Sequence, residues 1–126
     1  MGKYKDLIQT LEEAPLSNVP FHGSTPSIKR IGPTKDLPLA LGVHCVAPTE
    51  QAPEEYSRLH THTTPELNIL ISAEGSKLNY SIRLGDETYT VSSPASVWIP
   101  AGLEHSANLL SGQGYFICLK ARQNGG

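Results

Sequence analysis

Cysteine is scarce in this 126-residue chain: Cys45 and Cys118 are the only two, each within an apolar run. That excludes a disulfide scaffold and reads as a pair of buried free thiols, in keeping with a reducing cytoplasm. Runs of one charge are missing too. Ten Lys and Arg against twelve Asp and Glu give a formal net charge of −2 with the signs interspersed. No basic stripe is available for a phosphate backbone, so nucleic acid is not an expected partner. No apolar stretch approaches the roughly 20 residues of a membrane span. The opening segment, Met1 to Asp6, lacks the apolar core of a signal peptide, and Asp6 stands where a myristoylation signal needs Ser or Thr. The expectation is a cytoplasmic protein with no membrane attachment.

Ten prolines and eleven glycines punctuate the chain. Few segments between them are long enough for a helix, which points to an all-β domain with many turns. The length fits one domain, able to bury a core without a disulfide or a structural metal. A metal bound to such a domain serves function rather than folding.

The first segment departs from this pattern. Tyr4, Leu7, Ile8 and Leu11 share one helical face and Pro15 ends the run, so residues 3–14 are predicted to form a short amphipathic helix. Residues 15–38 hold five prolines and little periodicity, as expected of an extended arm with a short strand at Ser27–Ile31. Residues 1–38 are thus assigned to a helix and arm packing on the barrel or a partner subunit, and 39–123 to the barrel itself. Its predicted strands are Leu39–Ala47, Tyr56–His62, Glu66–Ser72, Lys77–Leu84, Thr88–Val91, Ser96–Ile99, His105–Leu110 and Tyr115–Ala121, with Ser111–Gly114 as a turn. Short strands at this spacing suggest a barrel or jelly roll, in which closure or double-sheet packing protects the edges.

The chemistry is concentrated in two segments. In Leu59-His60-Thr61-His62-Thr63-Thr64-Pro65-Glu66, His60 and His62 lie two apart, so on a strand they face one side. Pro65 favours a turn, and the strand opened by Glu66 brings a carboxylate back beside the two imidazoles. Two neutral nitrogen donors and one anionic oxygen suit a divalent ion. Downstream, Pro100-Ala101-Gly102-Leu103-Glu104-His105 makes a tight turn into a strand that begins with a histidine.

These two segments resemble the paired motifs of the cupin superfamily, G-x(5)-H-x-H-x(3,4)-E-x(6)-G and G-x(5)-P-x-G-x(2)-H-x(3)-N, over about Tyr56 to Leu110. The resemblance implies a double-stranded β-helix, or jelly-roll barrel, of the small single-domain cupin type. It also implies a metal held by His60, His62, Glu66 and His105, and a homodimer. Several positions depart from the pattern: Glu54 replaces the opening Gly, Gly75 comes late, Pro94-Ala95 stands for Gly-Asp, and Asn108 lies one residue early.

Strand parity extends the site. If His60 and His62 point inward, Arg58 and Tyr56 share their face; if Glu66 does, so do Asn68 and Leu70. Arg58 and Asn68 are therefore candidate substrate-binding residues, Asn68 also as a support for Glu66. Tyr56, and His44 from a Val-rich run, are candidate acids or bases. His22, in the arm, is expected to be solvated. Leu67, Ile69 and Ile71 fall on the outer face, to be covered by the arm or by the second subunit of the homodimer.

Three histidines and a carboxylate leave coordination positions open for a small-molecule substrate. Fe, Mn, Ni and Zn all suit the ligands, with Fe slightly favoured. With little base machinery in the inward set, the expected function is a metal-dependent enzyme leaning to Fe(II) dioxygenase-like oxidation. A metal-dependent lyase or isomerase and a non-catalytic metabolite-binding module are the alternatives.

Overall fold

The computed structural model describes residues 3–122. They form eight strands: β1 (Glu12–Ala14), β2 (Ile28–Gly32), β3 (Leu39–Thr49), β4 (Glu66–Ile71), β5 (Leu78–Leu84), β6 (Glu87–Ser92), β7 (Ala95–Ile99) and β8 (His105–Ala121). Every pairing is antiparallel. One layer runs β1-β2-β3-β8-β4-β7, and β5 and β6 form the second against the start of β8. Residue 123, the end of the expected barrel segment, lies outside the described residues.

Strand β8 belongs to both layers. Its first half pairs with β5, and its second half lies between β3 and β4. The crossing falls at Gly112 and Gly114, where the sequence suggests a turn. The chain bends there and continues as strand, and both glycines have positive φ. A Cβ at Gly112 would collide with the Lys77 carbonyl oxygen, and one at Gly114 with that of Ile71. Only glycine fits so close an approach of two backbones.

Two predicted elements do not form. In place of a helix over residues 3–14 there is one 3₁₀ turn, Lys5–Leu7, and then β1, which pairs with β2. Tyr4, Leu7 and Ile8, the expected buried stripe, are exposed. A helix this short needs tertiary packing to persist, and here the chain gains strand hydrogen bonds instead. The segment 56–62 is irregular, its β-type pairing reduced to isolated bridges, His22 to Ser57 and His60 to His105. The alternation assumed for it is lost.

Alternate residues of the main strands fill the interior. At one end Leu70, Leu78, Tyr80, Ile82, Leu109 and Phe116 make a dry core, with Tyr80 stacked on Phe116. Toward the other end the same strands turn polar: Asn68 faces Cys118, and Glu66 faces Lys120.

Candidate metal centre

Backbone contacts bring the two motif segments together. His60 and His105 exchange both main-chain hydrogen bonds, at 3.0 and 2.9 Å, and the Gly102 N–H donates to the His62 carbonyl at 2.8 Å. Gly102, with φ of 84°, supplies the turn that makes this contact possible. The segment is also held from behind. Asn108 Oδ1 accepts from the N–H groups of Tyr56 and Ser57, both at 2.9 Å, and its Nδ2 donates to the Ser57 carbonyl at 3.1 Å. The early placement of Asn108 in the second motif therefore has a purpose: it clasps the loop that leads to the histidines.

One ring nitrogen each from His60, His62 and His105 lies within 4.8 Å of the other two. Glu66 Oε1 is 3.3 Å from His62 Nε2 and 3.6 Å from His105 Nε2. Donors on one ion with bonds of about 2.1 Å stand about 3–4 Å apart, so small side-chain adjustments suffice to share an ion. Two of the imidazoles are already fixed in the required tautomer. His60 Nδ1 is 2.5 Å from the Arg58 carbonyl and His105 Nδ1 is 2.9 Å from that of Leu103. A carbonyl only accepts, so Nδ1 carries the proton and Nε2 offers its lone pair to the cluster. His105 Nε2 is buried with no hydrogen-bond partner. An orphaned nitrogen beside a carboxylate and two further imidazoles is what a divalent ion would satisfy, and the donor set fits one.

The electrostatics agree. Burial pushes the Glu66 carboxyl up, but His105, Asn68 and Cys118 outweigh it and hold its pKa down at about 2. Asn68 Nδ2 donates to Glu66 Oε2 at 2.8 Å, and Asn68 itself is only 1% exposed. Burial lowers His60, and burial with Lys120 brings His62 down to about 4. Burial opposes protonation of His105 as well, yet Glu66 and the Leu103 carbonyl prevail and its pKa is raised. The carboxylate is thus anionic and two imidazoles are neutral at pH 7, the forms a metal takes.

The cluster opens into a cavity of about 220 Å³. His44 lines it, stacked on Phe116, with burial, His22 and Arg30 pushing its pKa down to about 3. Asn68 lines it as well. Arg58 and Tyr56 do not. The Arg58 side chain is exposed and lines a separate depression with Ser81 and Arg83, and only its carbonyl serves the site. Tyr56 lies in the apolar core, where its hydroxyl accepts the Leu109 N–H at 3.1 Å and burial raises its pKa to about 12. Sequence parity fails for this pair because 56–62 is not a strand.

Other cavity residues are not apparent from the motifs. The arm lines the cavity with residues 18–20 and His22, tied by Gly23 N–H to the Tyr56 carbonyl (2.7 Å) and Arg58 N–H to the Phe21 carbonyl (2.9 Å). Phe21 stacks on His60 with centroids 5.0 Å apart, and its φ of 66° is unusual for a residue with a side chain. His22, expected to be solvated, is half-buried and lines the cavity, with Nδ1 2.9 Å from the Pro20 carbonyl. Arg30 and Lys120 also line it. Parity along β2 and β8 points to both cations only once the register of those strands is known.

The arrangement of eight antiparallel strands has counterparts among solved structures. The fold is that of a cupin. No protein-family description and no curated sequence matches the chain. In structure it is similar to an RmlC-like cupin from Shewanella frigidimarina, over 91% of this chain and 96% of that one, with 13% identity and a TM-score of 0.58. The polyketide cyclase RemF from Streptomyces resistomycificus matches over 90% and 75%, with 16% identity and a TM-score of 0.60. KdgF from Halomonas sp. matches over 86% and 94%, with 14% identity and a TM-score of 0.56. Among the described residues, no helix of this cupin barrel is long and apolar enough to cross a membrane.

Proposed function

We propose that this cupin barrel is a metal-dependent enzyme acting on a small organic molecule. His60, His62, Glu66 and His105 would hold one divalent transition ion. The observation that carries this reading is the buried, unpartnered Nε2 of His105, facing Glu66 within a cluster of three imidazoles. A bound ion would supply Lewis acidity and a template for a substrate oxygen. The cavity suits a substrate smaller than a drug-sized ligand.

Sequence alone leans to oxidation because the expected inward set holds little base machinery apart from the metal-binding candidates. His22 and His44 change that balance. Both line the cavity without belonging to the cluster, and their rings are 6.3 Å apart. His22 donates Nδ1–H to the Pro20 carbonyl, so its Nε2 is an acceptor. Burial lowers its pKa, keeping the ring neutral at pH 7. A neutral imidazole of fixed tautomer can take a proton from a substrate carbon or hydroxyl, and this favours a lyase, isomerase or cyclase. The similarity to a polyketide cyclase is in keeping with non-oxidative chemistry. An Fe(II) dioxygenase-like reaction is the second reading, supported by a ligand set that leaves positions open for two small ligands.

Elemental analysis of the purified chain, followed by turnover assays with a panel of small organic acids and enols, tests the proposal. One ion per chain and metal-dependent turnover under argon support the first reading. Stoichiometric oxygen uptake with Fe(II) supports the second. A chain that takes up no divalent ion contradicts both.

A further inference from the structure

Two cations, Arg30 and Lys120, share the cavity with the histidine cluster. Arg30, on β2, lies across from His44, and Lys120, on β8, lies across from Glu66. Among the described residues neither makes an ion pair, and Arg30 Nε is buried with no hydrogen-bond partner. A buried charged donor left unmet is destabilising, and a ligand that brings an acceptor removes that cost.

The sheet is shaped around the guanidinium. A Cβ at Gly42 would lie 2.9 Å from Arg30 Nη2, 3.2 Å from Nε and 3.3 Å from Cζ, and one at Gly32 would lie 3.4 Å from Nη1. Two neighbouring strands thus lack side chains where the planar head group rests. Gly42 in turn lies across from Cys118, two residues from Lys120 on the same face. The one carboxylate in the cavity wall, Glu66, is already engaged by Asn68 and the imidazoles.

We propose that Arg30 and Lys120 form the subsite for a carboxylate group of the substrate, so that the cavity takes a small organic acid whose reacting end faces the histidine cluster. The inference rests on the reading of this cavity as a substrate site and adds the substrate class. A guanidinium presents two parallel N–H groups that match the two oxygens of a carboxylate, and the ammonium adds a second charge. Arginine and lysine also bind phosphate, so inorganic phosphate is the competing ligand to be measured.

Calorimetric titration of the wild-type chain with succinate, malonate and pyruvate, each paired with its uncharged amide, tests the proposal on both metal-loaded and chelator-stripped protein. At least one acid should bind about tenfold or more tightly than its amide. Arg30→Gln should abolish most of that preference, with Lys120→Gln having a smaller effect, while metal content stays at the wild-type level. Gly42→Ala, which crowds the guanidinium without removing it, should weaken the same acid and guards against a folding defect in the arginine variant. Acid binding that survives Arg30→Gln overturns the proposal. So does a panel in which no acid is preferred over its amide, or inorganic phosphate binding more tightly than every carboxylate. Arg30-dependent acid binding by a chain that takes up no metal would uphold the subsite while contradicting the metal reading.

Discussion

The two ends of the barrel interior are built from the same strands and differ in what those strands present. On β4 the inward side chains run Glu66, Asn68, Leu70; opposite them on β8 stand Lys120, Cys118 and Phe116. On β3, Gly42 and His44 precede Val46. The apolar end is closed by packed side chains: Leu70 and Leu78 are wholly buried, and Tyr80, whose buried hydroxyl has no hydrogen-bond partner, stacks on Phe116. The polar end contains a buried imidazole nitrogen and a guanidinium nitrogen without partners. The change takes place within two residues along each strand. One end holds the fold, and the other carries the residues of the proposed site.

The largest expected effect lies at the apolar end. Leu70→Ala should cost about 2–5 kcal/mol of stability by urea unfolding, since it removes a fully buried side chain from a packed core. Metal stoichiometry of the folded fraction should not change. At the polar end the order reverses. Asn68→Ala should reduce metal affinity about 10–100-fold by releasing the Glu66 carboxylate it orients. A core-only role for Asn68 would instead appear as lost stability at constant affinity.

His44 stands at the boundary between the two ends and gives the comparison a pH axis. Its folded pKa, about 3, lies below the ordinary histidine value of 6.5. The unfolded chain therefore takes up the proton first as pH falls. The stability tied to a neutral His44 is complete above about pH 6.5 and declines toward pH 3. His44→Phe should flatten that part of the pH–stability curve of the metal-free protein. An unchanged slope would mean that His44 is not desolvated as described.

The smallest effect concerns the outside. Ile71, Trp98 and Tyr115 are exposed, Trp98 by 61%, and Leu67 pairs with Trp98 on the face opposite Glu66. An exposed apolar face of this kind is in keeping with the homodimer proposed from the sequence. Light scattering should give twice the chain mass for the wild type and a lower mass for Trp98→Glu. A wild-type monomer at micromolar concentration removes the dimer.

Residues whose partners are close in sequence, or whose motif carries its own turn, are legible in the amino-acid order itself. His60, His62, Glu66 and His105 belong to this group, because Pro65 and the Pro100–Gly102 turn bring these side chains to one cluster. Most strands from Leu39 onward are legible for the same reason, being bounded by their own turn residues. What the sequence hides depends on distant pairing. Residues 3–14 have helical periodicity, yet pairing of Glu12–Ala14 with β2 prevails. Tyr56 and Arg58 share parity with the ligands, yet the loop is shaped by Asn108, some fifty residues away. Arg30, Lys120 and His22 reach the cavity only through the register of β2 on β3, of β8 on β4, and of the arm on Ser57.

The central claim is that the polar end is a metal centre. Its most direct test is a calorimetric titration of chelator-stripped protein with Mn(II) and Zn(II), comparing wild type with His62→Ala and His105→Ala. One ion per wild-type chain, with proton release on binding and loss of the high-affinity site in both variants, is the predicted result. Wild-type stoichiometry and affinity surviving in either variant, or a wild-type chain that binds neither ion, would contradict it.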